Sequence, residues 1–286
     1  MASIIDLPDF MFTHRKERYS KVFKIFMTCW GLFIGFIHKN TEGKIFCLLM
    51  NLFFSGDGKI YFEKNYYTKK LWNGEDFSYL NKRIDRIIVD HKAHFELLFN
   101  TYCLDHIEFN RGDLIIDCGA NIGELFISLE LKKQHIEYIG YEPDPKVFLT
   151  LRKNLSIYNL SLYDIALSDK KEEKPFYLNS DGADSSLIYF GSDEKTIVKS
   201  DKLDNFNFKS IKLLKIEAEG GEIEVLKGSL NTLKNIEYIS VDYGPERGVT
   251  KEPTNVEIIN FLYENDFKLV DTSKYRQVGL FKNSLY

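Results

Sequence analysis

The chain has 286 residues, 44% of them hydrophobic and 15% aromatic, enough for one sizeable core plus an appendage. A net charge of −4 argues against the broad basic field of a nucleic-acid binder, and four scattered cysteines without CxxC spacing argue against a disulfide framework or a zinc site. Reduced thiols in a cytoplasmic protein fit better. The first 110 residues are aromatic, Lys-rich and aperiodic, and read as an N-terminal α/β cap; residues 111–286 read as a second domain. Within the cap, Phe26 to Ile37 is an apolar run of about a dozen residues, with Lys24 before it and His38-Lys39 after it. A spanning helix needs about 20 apolar residues, so the run is too short, and no small-residue cleavage site follows it. It is either a buried helix of the cap or one that rests on a membrane surface or a partner, since two glycines, Trp30 and flanking bases suit an interface. A hairpin is expected around Gly56-Asp57-Gly58, a strand at Lys59–Phe62, and helical spacing from Asp85 to Leu104.

From Gly112 strands and helices alternate. Leu114–Ile116 is a buried-strand run, followed by a helix from Asn121 to Lys133. Tyr138–Tyr141 is a second strand, and Asp144 to Tyr158 a helix with Pro145 where helices tolerate it. Leu162–Leu167 is a third strand, Ile211–Ile216 a fourth and Tyr238–Val241 a fifth, with helices from Gly221 and from Pro253. Lys268–Val270 and Gly279–Lys282 close the sheet as a final pair, while Lys170 to Phe208 reads as an insertion over the sheet rim. This pattern predicts an α/β fold: a largely parallel sheet with helices on both faces.

Ligands of such sheets bind beyond the carboxyl ends of the strands. Asp117-Cys118-Gly119-Ala120-Asn121-Ile122-Gly123 occupies that place after the first strand, and its glycines let a ligand approach the backbone. Free N–H groups at the helix start would face the ligand. The second strand ends in Tyr141-Glu142-Pro143, and an acid there can accept both hydroxyls of a ribose. The spacing D-x-G-x-x-x-G differs from the dinucleotide G-x-G-x-x-G, and an acid before the turn suits a ligand with a cationic amino-acid end, such as S-adenosylmethionine (SAM).

Six motifs in order resemble the FkbM-type SAM-dependent methyltransferases. They are Asp117–Gly123, Tyr141-Glu142-Pro143, Ile165–Asp169, Ser185-Ser186-Leu187, Lys202-Leu203-Asp204 and Leu214–Glu222. Glu217 stands where that family usually has Asp, and Ala218 where it has Val. The resemblance implies a Rossmann-like class I methyltransferase fold with a seven-stranded sheet. It implies Asp117, Gly119, Ala120, Asn121 and Gly123 around the methionine end of SAM, and Glu142 with Pro143 at the ribose. Asp164, Ile165 and Ala166 would edge the adenine. The acceptor it implies is a sugar hydroxyl on a surface glycan or a glycosylated metabolite; the aromatic stretch Phe26 to Ile37 would in addition help bind a bulky or lipid-linked acceptor at the inner face of a membrane.

A sugar hydroxyl is a poor nucleophile and is helped by a base. Glu217 and Glu219 are the candidate bases, with Asp242 at the fifth-strand tip as a third. Crowding would raise their pKa values, or the three would hold a divalent cation. Glu222 suits a helix N-terminus, His106 is a further base candidate, and Tyr243 and Arg247 would line an acceptor pocket. A non-sugar small molecule or a protein as acceptor, or a non-catalytic nucleoside-binding module, are the alternatives.

Overall fold

The computed structural model describes residues 21–132, 135–179 and 185–286. It divides into two compact units, one ending at His91 and the other starting at Lys92. The expected change at residue 110 therefore falls inside the second unit, because Phe99, Tyr102, Leu104 and Ile107 belong to that unit's core.

In the first unit, helices α1 (Lys21–Asn40) and α2 (Gly43–Phe53) precede an antiparallel sheet of β1 (Gly58–Glu63), β2 (Tyr66–Leu71) and β3 (Asp76–Tyr79). The hairpin turns at Lys64-Asn65, not at Gly56–Gly58, with both residues left-handed at φ 50° and 65°. Such a turn matches the twist of the flanking strands. Asp57 instead pairs with the buried Lys69, whose Nζ also donates to the carbonyls of Ile87 (2.6 Å) and Ile88 (2.9 Å) in the short helix α3 (Asp85–Ile88). No helix among the described residues is long and apolar enough to cross a membrane.

Helix α4 (His91–Thr101) starts at the boundary and runs on into the second unit, which then alternates. Its strands and helices run β4 (Leu114–Cys118), α5 (Glu124–Leu131), β5 (Glu137–Tyr141), α6 (Pro145–Asn154) and β6 (Ser161–Tyr163). Next come β7 (Ile165–Leu167), β8 (Glu172–Tyr177), β9 (Lys195–Asp201), β10 (Ile211–Ile216) and α7 (Glu222–Lys227). The chain ends through β11 (Ile236–Asp242), β12 (Pro245–Arg247), β13 (Glu252–Pro253), α8 (Asn255–Glu264), β14 (Phe267–Thr272) and β15 (Val278–Asn283). Seven strands form the main sheet in the order β14-β15-β11-β10-β4-β5-β6, in which β15 alone runs antiparallel to its neighbours. The chain builds outward from β4 to β6, then returns to β10 and builds the other way. The topological switch point therefore lies between β4 and β10.

Alternate residues of each strand serve different layers. Ile115, Tyr138 and Leu213 pack with α4, α5 and α6 residues, whereas Ile116, Leu214 and Ile239 pack with α7 and α8 residues. Helices thus cover both faces. The expected third strand is broken at Asp164: β6 stays in the main sheet, and β7 leaves it to pair with β9 in a three-stranded sheet with β8. That small sheet is the inserted region, and residues 180–184 within it, like the expected helix end at Lys133, lie outside the described residues.

Candidate active site

The turn after β4 is built for close approach. Gly119 has φ +78°, and a Cβ there would lie 2.0 Å from the carbonyl oxygen of Glu217, so β10's tip occupies the space that any side chain would need. Asn121 and Gly123 are also left-handed, at φ 48° and 95°, which delays α5 to Glu124 rather than Asn121. Four of the five amides from Gly119 to Gly123 already have partners within the protein. Those of Gly119 and Ala120 donate to the carbonyl of Tyr141 (3.0 and 2.9 Å), that of Asn121 to Glu142 Oε2 (2.9 Å), and that of Gly123 to Ala120 (2.9 Å). The second-strand tip therefore holds the turn in shape. Gly119→Ala should cost about 1–2 kcal/mol from the left-handed backbone alone, with the clash against Glu217 added. A lowered urea midpoint with weaker S-adenosylhomocysteine (SAH) binding by calorimetry would show it.

Glu142 is buried at the end of β5. Its Oε1 accepts the Asp144 amide at 2.9 Å, and its own amide donates to Tyr163 at the tip of β6, beside exposed Asp164. Burial pushes its carboxyl up to about 7, against the pull of the Asp144 and Asn121 amides that donate to it. Asp144 caps α6 through the amides of Lys146 and Val147. Pro143 lies between the two acids, while Ile165 and buried Ala166 stand in β7.

On the α4–α6 face of the switch point, Asp117 and Lys215 are direct cross-strand neighbours. Lys215 Nζ lies 2.9 Å from Asp117 Oδ1 and 3.3 Å from Glu217 Oε2, and donates to the Gly119 carbonyl at 2.8 Å. Tyr138 donates to Asp117 Oδ2 at 2.5 Å, and Tyr102 donates to Glu217. Burial works against a charge on Lys215, but Asp117, Tyr102 and Glu217 outweigh it and hold the ammonium protonated. Tyr102 sits just past α4, and its carbonyl accepts from Ser240 Oγ at 2.8 Å, which pins it to β11.

Beyond Lys215 lies a second cation. Arg276, in the turn between β14 and β15, reaches Glu217 Oε1 at 2.6 Å, Asp242 Oδ2 at 2.6 Å and Glu246 Oε1 at 3.5 Å. The expected crowding of carboxylates is therefore offset. Burial opposes the charge on Glu217, yet Arg276 and Lys215 hold it well below the usual carboxylate range, which makes it a poor base. Asp242, 2% exposed at its side chain, is raised by burial, and its Oδ1 accepts the Gly244 amide at 2.9 Å. Glu246 is more open, with its side chain 28% exposed, and burial followed by Asp242 pushes it up to about 7.

The remaining candidates have structural partners. Glu219 is left-handed at φ 50° and half-buried, and its carbonyl accepts Ser186 Oγ at 2.7 Å, so the Ser185-Ser186 loop ties down the tip of β10. Glu222 caps its own turn, as expected, by accepting the amides of Ala218 (2.8 Å) and Gly220 (3.1 Å). Arg247 is already engaged within the protein: it grips the Glu224 carboxylate with both amino groups (2.9 and 2.7 Å). Tyr243 is buried in the core, and His106 pairs with Asp271 on edge strand β14 at 2.8 Å. Glu217, Glu219 and Asp242 do not gather as a three-ligand metal set, since Lys215 and Arg276 already supply the positive charge there. Among the described residues such a set occurs only at Asp57, Asp90 and His91, where Lys69 is already paired with Asp57.

A glycine turn over the switch point, an acid on the second strand and the strand order of the sheet define a nucleoside-binding crevice of the class I methyltransferase type. The family model described as the methyltransferase FkbM domain matches residues 117–269, and the chain belongs to that family. It is a SAM-dependent methyltransferase. Methyltransferase 1 of Beauveria bassiana is 25% identical over 192 residues, 56% of this chain and 75% of that protein. The 2-O-methyltransferase NoeI of Sinorhizobium fredii is 25% identical over 158 residues, 46% of this chain and 64% of NoeI. Among solved structures, the methyltransferase FkbM of Methylobacillus flagellatus is similar with a TM-score of 0.47 and 14% identity, covering 70% of this chain and 52% of that one. This chain thus spans about half the length of that solved protein.

Proposed function

We propose that the protein transfers the methyl group of SAM to a hydroxyl of a sugar, on a surface polysaccharide or a glycosylated metabolite. Asp117, Gly119, Ala120, Asn121 and Gly123 surround the methionine end, Glu142 with Pro143 takes the ribose, and Asp164 to Ala166 edge the adenine. With the ribose over β5, the methyl end lies on the other side of the switch point, over the tips of β10 and β11. The reading extends to a cytoplasmic enzyme whose acceptor is carried on a lipid at the inner face of a membrane.

One observation carries the choice of a hydroxyl: a half-open carboxylate, Glu246, stands beside an arginine already fixed by Glu217 and Asp242. The acceptor oxygen attacks the methyl carbon in line, the C–S electrons return to sulfur, and the hydroxyl proton passes to Glu246. Arg276 offers a fixed positive charge to the oxygen as it loses that proton. NoeI, named as a 2-O-methyltransferase, supports transfer to oxygen. Glu217 takes the role of an anchor, because the two cations that lower its pKa remove its basicity.

The test is methyl transfer from labelled SAM to a panel of methyl glycosides and nucleotide sugars. Glu246→Gln should lower kcat roughly 10²- to 10⁴-fold with SAH affinity retained. A base must be deprotonated, so wild-type kcat should rise as pH increases through about 7, and the variant should lose that rise. Full turnover in Glu246→Gln would remove the base, and failure of wild type to label any glycoside would remove the sugar.

A further inference from the structure

Among its described residues the first unit carries an apolar surface that no other described residue covers. Helices α1 and α2 pack together through Trp30, Phe33 and Phe53, whose rings meet at centroid distances of 5.1 to 5.8 Å. Their inner residues, including Ile34, Ile37, Phe46 and Met50, are buried. The outer residues are as apolar as the inner ones. Ile25, Leu32 and Phe36 on α1 are 64%, 72% and 66% exposed, and Ile45, Leu48 and Leu52 on α2 are 64%, 64% and 68% exposed. Spacings of seven and four residues on α1, and three and four on α2, place each trio along one helix face. Single exposed hydrophobics are normal in a soluble protein, but two neighbouring stripes of them mark an interaction surface.

Charge indicates the occupant. Residues 21–54 contain four lysines (Lys21, Lys24, Lys39 and Lys44) and a single acid, Glu42, in a chain whose net charge is −4. Exposed Lys39 and Lys44 flank the short connection between the two helices. A basic border around an apolar stripe complements anionic headgroups over acyl chains, and a helix unable to span would lie in the plane of that interface. We infer that the outer faces of α1 and α2 dock the protein onto an anionic lipid surface, with Leu32, Phe36, Leu48 and Leu52 entering the headgroup boundary and Lys39 and Lys44 pairing with lipid phosphates.

This inference adds a partner to the lipid-linked acceptor reading above but is tested without an acceptor, so the two can fail separately. The full chain is floated with vesicles of phosphatidylcholine alone and of phosphatidylcholine with phosphatidylglycerol. Binding is expected to the second kind, and to fall as salt rises. Lys39→Gln with Lys44→Gln should weaken it about 30-fold at low salt, at the usual worth of two basic residues near such a surface. Leu32→Glu with Phe36→Glu should abolish it while leaving SAH affinity unchanged. Absent flotation, or flotation untouched by the double glutamate variant, would overturn the inference. So would a dimer in light scattering that the glutamates dissociate while vesicles never bind, which would assign the face to a second copy of this chain.

Discussion

Glu142→Gln is expected to weaken SAH binding by roughly 30- to 150-fold, the equivalent of about 2–3 kcal/mol for a charged acceptor exchanged for a neutral one. The reason lies in the carboxylate's position. Its two oxygens already accept the amides of Asn121 and Asp144, which aim the group from the end of β5 and leave its remaining lone pairs for the ribose hydroxyls. A glutamine would also turn an N–H against one of those two amides and loosen the turn at Asn121. The same residue gives a pH signature. Burial lifts Glu142 to about 7, and only its deprotonated form accepts from both hydroxyls, so wild-type affinity should fall as pH drops below about 7. The limiting slope is about tenfold per pH unit, and Glu142→Gln should be flat over that range. Calorimetry at pH 6 and pH 8 on both proteins reads the affinity and the slope together; a variant that binds like wild type would remove Glu142 from the cofactor site.

Lys215→Met should cost about 3–5 kcal/mol of stability, the range for removing one partner of a buried ion pair. The side chains of Lys215 and Asp117 are 3% and 1% exposed, so no water replaces the ammonium once it is gone. Asp117 would be left with Tyr138, Glu217 with Arg276 and Tyr102, and the Gly119 carbonyl would lose its donor. Adding Asp117→Asn should return part of the loss, because the uncompensated charge disappears with it, and the double variant should then be less destabilised than the two single changes summed. Urea denaturation measures all three. A Lys215→Met midpoint within error of wild type would mean that the pair does not hold the crevice together.

How far the site could be read from sequence follows from the range of the contacts that build it. The glycine turn and Glu142 are local features, each at the end of an apolar run, and their meaning follows from strand–turn–helix geometry. The order of strands and helices was legible for the same reason. Gly56 and Gly58 suggest a turn more strongly than Lys64-Asn65, yet the hairpin turns at the latter pair, both of which take the left-handed conformation. Lys215 did leave a trace, since a lysine inside Leu213-Leu214-Lys215-Ile216 cannot be buried without an acid beside it, and the cross-strand partner is Asp117. Arg276 and Tyr102 left none. They lie 59 and 115 residues from Glu217, and only the closure of β15 against β11 and the packing of α4 over the sheet bring them to it. Without those partners Glu217 resembles a free base; with them it is an anchor, and Glu246 becomes the open carboxylate.

A crystal structure with SAH bound would settle where the methyl donor sits. Both ribose hydroxyls are expected within hydrogen-bond distance of the Glu142 carboxylate, the aminocarboxypropyl tail over Gly119, and the sulfur on the side of Glu246 and Arg276. Product seated elsewhere, or with its ribose turned away from Glu142, would contradict that placement.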